Sequence, residues 1–325
     1  MSLLIPSKVD YDDAHPATNH FQEYATLLGQ QPREDFSWKF EVVPGFFMQA
    51  EESTDDLKFR YTEQHFGLML ESWSELIKQV HALNEFAADN ECYKVLFLAR
   101  HGQGFHNFAV GKYGLPEWNR KWRHLTTDGE IVWGPDPYLT ERGVNQALEN
   151  RDAWKNELSV GCPLPQKFYS SPFTRSAMTL VNTWNEILDL KRVAPMIKEN
   201  LRETIGVNRC DQRSDKKTIE KRYANQYGFQ FEPGFHEIDD YFTEEWRESI
   251  GEQTLRINRF LQFLFDLDWN SEEGKAKNRR DSTFVSCTSH AGTIRSFLQV
   301  LGHREFTVGT GAMIPVVVKG IRHFN

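Results

Sequence analysis

From Lys94 onward, short apolar runs alternate with stretches where apolar residues recur every three or four positions. Val95-Leu96-Phe97-Leu98-Ala99 is an uninterrupted apolar run, the mark of a strand buried on both faces. Residues 140–158 follow as a helix, with Val144, Ala147, Leu148 and Trp154 at helical spacing and Thr140 as N-cap. Next come a strand over 167–170 and a helix over 174–190 with Ala177, Leu180, Val181, Trp184 and Leu188 on one face. Residues 193–197 read as a strand that Pro195 places near an edge. A helix over 252–267 runs through Leu255, Phe260, Leu264 and Leu267. A strand over 283–287, a helix over 291–301 with Ile294, Phe297, Leu298 and Leu301 inward, and a strand over 313–318 complete the series. The alternation predicts an α/β fold, a three-layer α/β/α sandwich with a mainly parallel central sheet.

Residues 1–93 show little β alternation; Leu70, Trp73, Ile77, Val80 and Leu83 predict one amphipathic helix within 68–87. The stretch before it, with Val43-Pro44-Gly45-Phe46-Phe47, reads as an irregular extension wrapped on the core. The expected organisation is therefore an N-terminal extension, 1–93, packed on an α/β domain, 94–325. The polar residues 206–251 read as a lid insertion and 271–281 as a solvated loop. Within the former, 239–248 is either an acidic lid or a solvated loop.

Composition narrows the function classes. The 325-residue chain has 38 Lys and Arg against 46 Asp and Glu, a net charge of −8. Nucleic-acid-binding domains are usually basic, so no nucleic-acid partner is expected, and an anionic substrate needs a local cationic pocket. Cys92, Cys162, Cys210 and Cys287 are scattered and form no CxxC pair, so no zinc knuckle or disulfide framework is expected. No apolar run approaches the ~18 residues of a membrane span, and the start has no cationic leader. A reducing compartment, cytoplasm or nucleus, is the expectation.

Candidate chemistry lies at three strand ends. The first carries Arg100-His101-Gly102 and, beyond it, Asn107; the second Ser170-Ser171-Pro172-Phe173-Thr174-Arg175; the third Thr288-Ser289-His290-Ala291-Gly292. If these strands are neighbours in a parallel sheet, two imidazoles and two guanidinium groups meet at the rim where such sheets bind ligands. A helix starting near Ala291 would point backbone N–H groups at the same rim, which favours an anion. Gly102-Gln103-Gly104 resembles a dinucleotide fingerprint, but Asn107 stands where the third glycine belongs.

The pieces LARHGQGFHN (98–107), DPYLTERG (136–143), SSPFTRSAMT (170–179), ENLRET (199–204) and TSHAGTIR (288–295) are together similar to the histidine phosphatase superfamily, in its phosphoglycerate mutase-like branch. VPGFF (43–47) and CDQRSDKK (210–217) resemble a fungal phosphomutase-like subgroup. The resemblance implies that His101 attacks phosphorus and becomes a phosphohistidine. It implies that Arg100, Arg175 and His290 hold the phosphoryl oxygens, with Asn107 either in the same shell or capping a turn. It implies that Glu203 acts as acid and then base, Glu199 being the other acid in the segment. No metal or cofactor is called for. The expected function is a phosphomonoester phosphatase acting on a small phosphorylated metabolite. The alternatives are a phosphomutase of the phosphoglycerate mutase type and a catalytically inactive phosphate-binding protein.

The other histidines, His106 included, carry no ligand pattern and are expected to have no part in the chemistry. Trp73, Trp154 and Trp184 fall on apolar helix faces and are expected in the core.

Overall fold

The computed structural model describes residues 2–18, 20–32, 35–270, 275–276 and 282–324. The apolar run 95–99 is the middle of a longer buried strand, β2 (Glu91–Arg100), at the centre of the main sheet. With β1 (Phe36–Val42), β3 (Lys167–Ser170), β4 (Met196–Ile197), β5 (Gln230–Phe231), β8 (Phe284–Ser289) and β9 (Met313–Phe324), it forms the order β1-β9-β2-β8-β3-β4-β5. The run from β2 to β5 is parallel throughout, while β9 is antiparallel to both β2 and β1. A separate hairpin pairs β6 (Trp269–Asn270) with β7 (Lys275–Ala276).

Helices α1 (Lys8–Ala14), α2 (Phe21–Gly29) and α3 (Trp73–Glu85) precede β2. Helices α4 (Phe105–Tyr113), α5 (Leu115–Arg120) and α6 (Glu141–Ser159) follow it. Beyond β3 come α7 (Thr174–Trp184), α8 (Leu190–Val193), α9 (Lys216–Ile219), α10 (Asn225–Tyr227), α11 (Ile250–Asp266) and α12 (Ala291–Val300). Alternation along β3 divides them into layers: Phe168 meets Trp184 of α7, whereas its neighbour Tyr169 meets Phe260 of α11. On the first face Trp154 of α6 packs on Phe97, Phe66 and Trp184, and Trp73 of α3 joins through Phe66. On the second, Phe297 of α12 packs on Phe260, and Phe265 lies against Trp38 and Phe40 of β1. The α/β/α sandwich with a mainly parallel sheet is thus observed, and Trp73, Trp154 and Trp184 are in its core.

Several element limits differ from expectation for local reasons. Ser72 caps α3 through the Glu75 N–H, so that helix starts inside 68–87. Helix α7 stops at Trp184, and Asp189 caps the separate turn α8, leaving only Met196–Ile197 of the 193–197 strand. Strand β9 runs on from 318 to Phe324 because β1 pairs with that half. Strand β1 supplies clear alternation within 1–93, where little was expected. Phe36, Trp38, Phe40 and Val42 alternate with Ser37, Lys39 and Glu41, as in a strand with one buried face.

Residues 206–251 contain α9, a π-helical turn, α10 and β5. The 239–248 stretch is pinned at both ends: Asp239 pairs with Arg202 at 2.6 Å, and Glu248 with Arg256 at 2.6 Å. The predicted loop 271–281 falls outside the described residues except for Lys275–Ala276. Among the described residues no helix is long and apolar enough to cross a membrane.

Candidate active site

Strands β2, β8 and β3 are adjacent and parallel, so their carboxyl ends open on one rim. That rim brings His101, His290 and Arg175 together. The His101 and His290 ring centroids are 5.0 Å apart, and Phe173 stands edge-on to His290 at 5.3 Å.

His101 is fixed by backbone on both sides: its N–H donates to the Ser289 carbonyl and its own carbonyl accepts from Gly311, each at 2.9 Å. Its Nδ1 lies 2.7 Å from the Gly102 carbonyl oxygen. A carbonyl only accepts, so Nδ1 carries the proton and Nε2 presents a lone pair. Burial, then Arg175 and Arg100, push the imidazole well below its ordinary range, so it is uncharged at neutral pH.

The loop is held by close backbone packing. A Cβ on Gly102 would stand 2.3 Å from the Gly143 carbonyl oxygen, and a Cβ on Gly143 would stand 2.1 Å from that of Gln103. Thr140, the N-cap of α6, donates its N–H to the same Gln103 carbonyl at 2.9 Å. The 136–143 segment is therefore a cradle for the 101–104 loop.

Arg175 is fully buried at the start of α7. It donates to the Cys210 carbonyl at 2.9 Å and to Asp211 Oδ1 at 3.0 Å, with its guanidinium 4.3 Å from the Phe173 ring centroid. Cys210 itself belongs to a small aromatic cluster with Trp118 and Trp133, which anchors that carbonyl. Among the described residues Arg175 Nε is buried without a protein partner. Arg100 Nε is in the same state, although Arg100 Nη1 is bonded to Asp10 at 2.6 Å and to the Val308 carbonyl at 2.8 Å. Against the cost of burial, Arg100 and Ser7 hold the Asp10 carboxyl below its ordinary range. Unpartnered buried donors are costly, and their gathering around one imidazole marks a place for an anion.

His290 lies 2.7 Å by Nε2 from the Ser171 hydroxyl, and its buried Nδ1 has no hydrogen-bond partner. That nitrogen is 3.9 Å from Glu203 Oε2. Burial, Arg175 and His101 lower the His290 pKa well below the ordinary value. Glu203 accepts the Thr204 N–H at 2.9 Å, and burial, then the Asp211 charge, raise its pKa. It keeps 19% of its side-chain area accessible, enough to meet a substrate. Glu199 is placed differently: Arg213 at 2.6 Å and Arg202 at 3.3 Å hold its carboxylate in a buried ion cluster. Asn107 caps α4, its Oδ1 accepting the Gly104 N–H at 2.9 Å, which commits the amide oxygen and leaves the NH2 as its donor side.

Two partners were not legible in the sequence. Asp10, from the extension, and Asp211, from the polar insertion, reach the two arginines across 90 and 36 positions of chain. His106, expected to have no part in the chemistry, stands beside the cluster, its ring centroid 5.4 Å from that of His101. The available signal was its place five residues past His101, two past a glycine that leaves it room.

Comparisons with known proteins agree on the family. Residues 96–309 match the model of the histidine phosphatase superfamily, branch 1. A "Probable phosphoglycerate mutase" of Arthroderma benhamiae is 38% identical over 297 residues, 86% of this chain and 84% of that protein. "Phosphomutase-like protein 3" of Candida albicans is 33% identical over 264 residues, 80% of this chain and 74% of that one. Among solved structures, phosphoglycerate mutase from Bacillus anthracis aligns at 16% identity, over 70% of this chain and 89% of that chain, with a TM-score of 0.41. On the family match and the relative at 38% identity, this chain belongs to branch 1 of the histidine phosphatase superfamily.

Proposed function

We propose that this protein is a phosphomonoester hydrolase that works through a phosphohistidine on His101. One observation carries the reading: His101 Nδ1 is committed to the Gly102 carbonyl, so the lone pair is on Nε2, amid buried Arg100 and Arg175 Nε–H donors and a buried His290 Nδ1 that have no partner among the described residues.

Nε2 attacks phosphorus in line with the leaving oxygen, forming the N–P bond as the P–O bond breaks. Arg100, Arg175 and His290 stabilise the charge spread over the three equatorial oxygens. Arg100 exchanges its Asp10 contact for the phosphoryl group. Glu203, whose carboxyl is biased toward the protonated form by burial and then by the Asp211 charge, gives its proton to the departing oxygen. As carboxylate it then takes a proton from water, whose oxygen displaces the phosphoryl group from Nε2 and releases inorganic phosphate.

A phosphomutase is the second reading, favoured by the names of the relatives. It shares the first half-reaction and differs in the acceptor. Hydrolysis is preferred because water suffices for it and no second substrate hydroxyl must be held in place. The test is a rapid quench with a phosphate-labelled ester. An acid-labile, base-stable label on His101, absent in His101→Ala, together with free phosphate as product supports the hydrolase. An isomerised ester as product assigns the mutase, and wild-type turnover with no label on His101 overturns both.

A further inference from the structure

We propose that His106 is a further phosphoryl-binding residue, donating Nε2–H to an oxygen of the group that His101 takes up; this rests on the phosphohistidine reading above.

The argument is geometric. Two imidazoles lie close to His101, His290 at 5.0 Å and His106 at 5.4 Å between ring centroids. His106 is turned so that one edge lies under Gly104, where an added Cβ would be 2.6 Å from Nδ1 and 2.7 Å from Cε1. Nδ1 is buried there with no acceptor. A proton on that nitrogen would be an unsatisfied buried donor, so the neutral ring carries it on Nε2. Nε2 is not among the buried orphan atoms and takes no partner among the described residues, which leaves its N–H open to an incoming ligand.

The surroundings fix what that ligand is. Burial, and then the charges of Arg175 and Arg100, the groups that face phosphorus, hold the His106 pKa well below its ordinary value. Glu203, which faces the leaving oxygen, stands on the His290 side. His106 therefore serves the phosphoryl oxygens. The absence of a side chain at Gly104 is part of this design, because a methyl group would push the ring out of place.

Orthovanadate inhibition and hydrolysis of one aryl and one alkyl phosphate test the role. His106→Leu should raise the vanadate inhibition constant at least ~10-fold, the scale of losing one oxyanion donor, and lower kcat/KM for both esters by the same factor. His106→Gln, which keeps an N–H near Nε2, should recover most of both. Gly104→Ala should weaken vanadate in the same direction, and adding His106→Leu to it should cost little more, because both changes remove one contact. Unchanged vanadate affinity in a folded His106→Leu protein, or a loss confined to one ester, overturns the proposal. If His106→Leu does not fold, Gly104→Ala decides, and unchanged affinity there overturns it. The label on wild-type His101 separates the two readings: without it the phosphohistidine mechanism fails, while labelled wild type with unaltered vanadate binding in the variants sinks His106 alone.

Discussion

Replacing Glu203 by Gln isolates the proton from the shape. The amide keeps an oxygen for the Thr204 N–H and a neighbour for Gln253, 3.4 Å away, so the fold should hold. What disappears is a carboxyl 3.9 Å from His290 whose raised pKa keeps it acidic above the ordinary carboxylate range. General acid catalysis contributes about 10²–10⁴-fold, roughly 3–5 kcal/mol of barrier. An alkyl phosphate, which expels an alkoxide, should lose that full factor in kcat/KM. A nitrophenyl phosphate, whose leaving group departs without a proton, should lose no more than about 10-fold. The pH profile adds a second check. Glu203 works protonated, so activity is present below its folded pKa and falls as pH rises through it. His101 works unprotonated, so activity falls as pH drops through its lowered pKa. Raising one limit and lowering the other widens the plateau on both sides. Glu203→Gln should erase the alkaline limb and keep the acid limb. Equal losses for both esters, or an alkaline limb that survives, would refute the assignment of Glu203 as the acid.

Other substitutions separate catalysis from stability. Arg175→Ala should cost about 10²–10³-fold in kcat/KM and lower the melting temperature. The loss of stability arises because Asp211 is left buried with Arg247 at 3.5 Å as its nearest cation; a variant with wild-type turnover contradicts the phosphoryl role. Lys94→Met breaks the fully buried Lys94–Asp268 pair, which should destabilise by about 3–5 kcal/mol and lower the melting temperature roughly 4–7 °C. Its activity per folded molecule should match wild type, and an unchanged melt would show the pair to be dispensable. Excess EDTA should leave turnover intact; loss restored by one divalent ion would reveal a metal-dependent step.

The parts of this molecule that were legible in its sequence are those in which a local pattern suffices. The run 95–99 had to be a buried strand, and Thr140 had to start a helix, because neighbours along the chain decide both. The three strand ends carrying Arg100-His101, Arg175 and His290 were equally plain, and the sheet order sets them side by side. Strand β1 is readable in its own alternation, although the segments flanking it in the chain are irregular. Asp10 on Arg100 and Asp211 under Arg175 were not readable, because a charge pair between distant segments leaves no periodicity. His106 shows no metal-ligand spacing in the sequence, but an anion site asks for an open N–H and makes no demand on spacing.

The contact between Gly102 and Gly143 has its own consequence. Two backbones touch there with no clearance for a methyl group, so the position of the His101 ring is registered against an outer helix as firmly as against its own strand. Warming that frays the first turn of that helix will tilt the imidazole while the sheet is still intact. Thermal inactivation should therefore run ahead of global melting, and residues 102 and 143 should answer to mutation as one position.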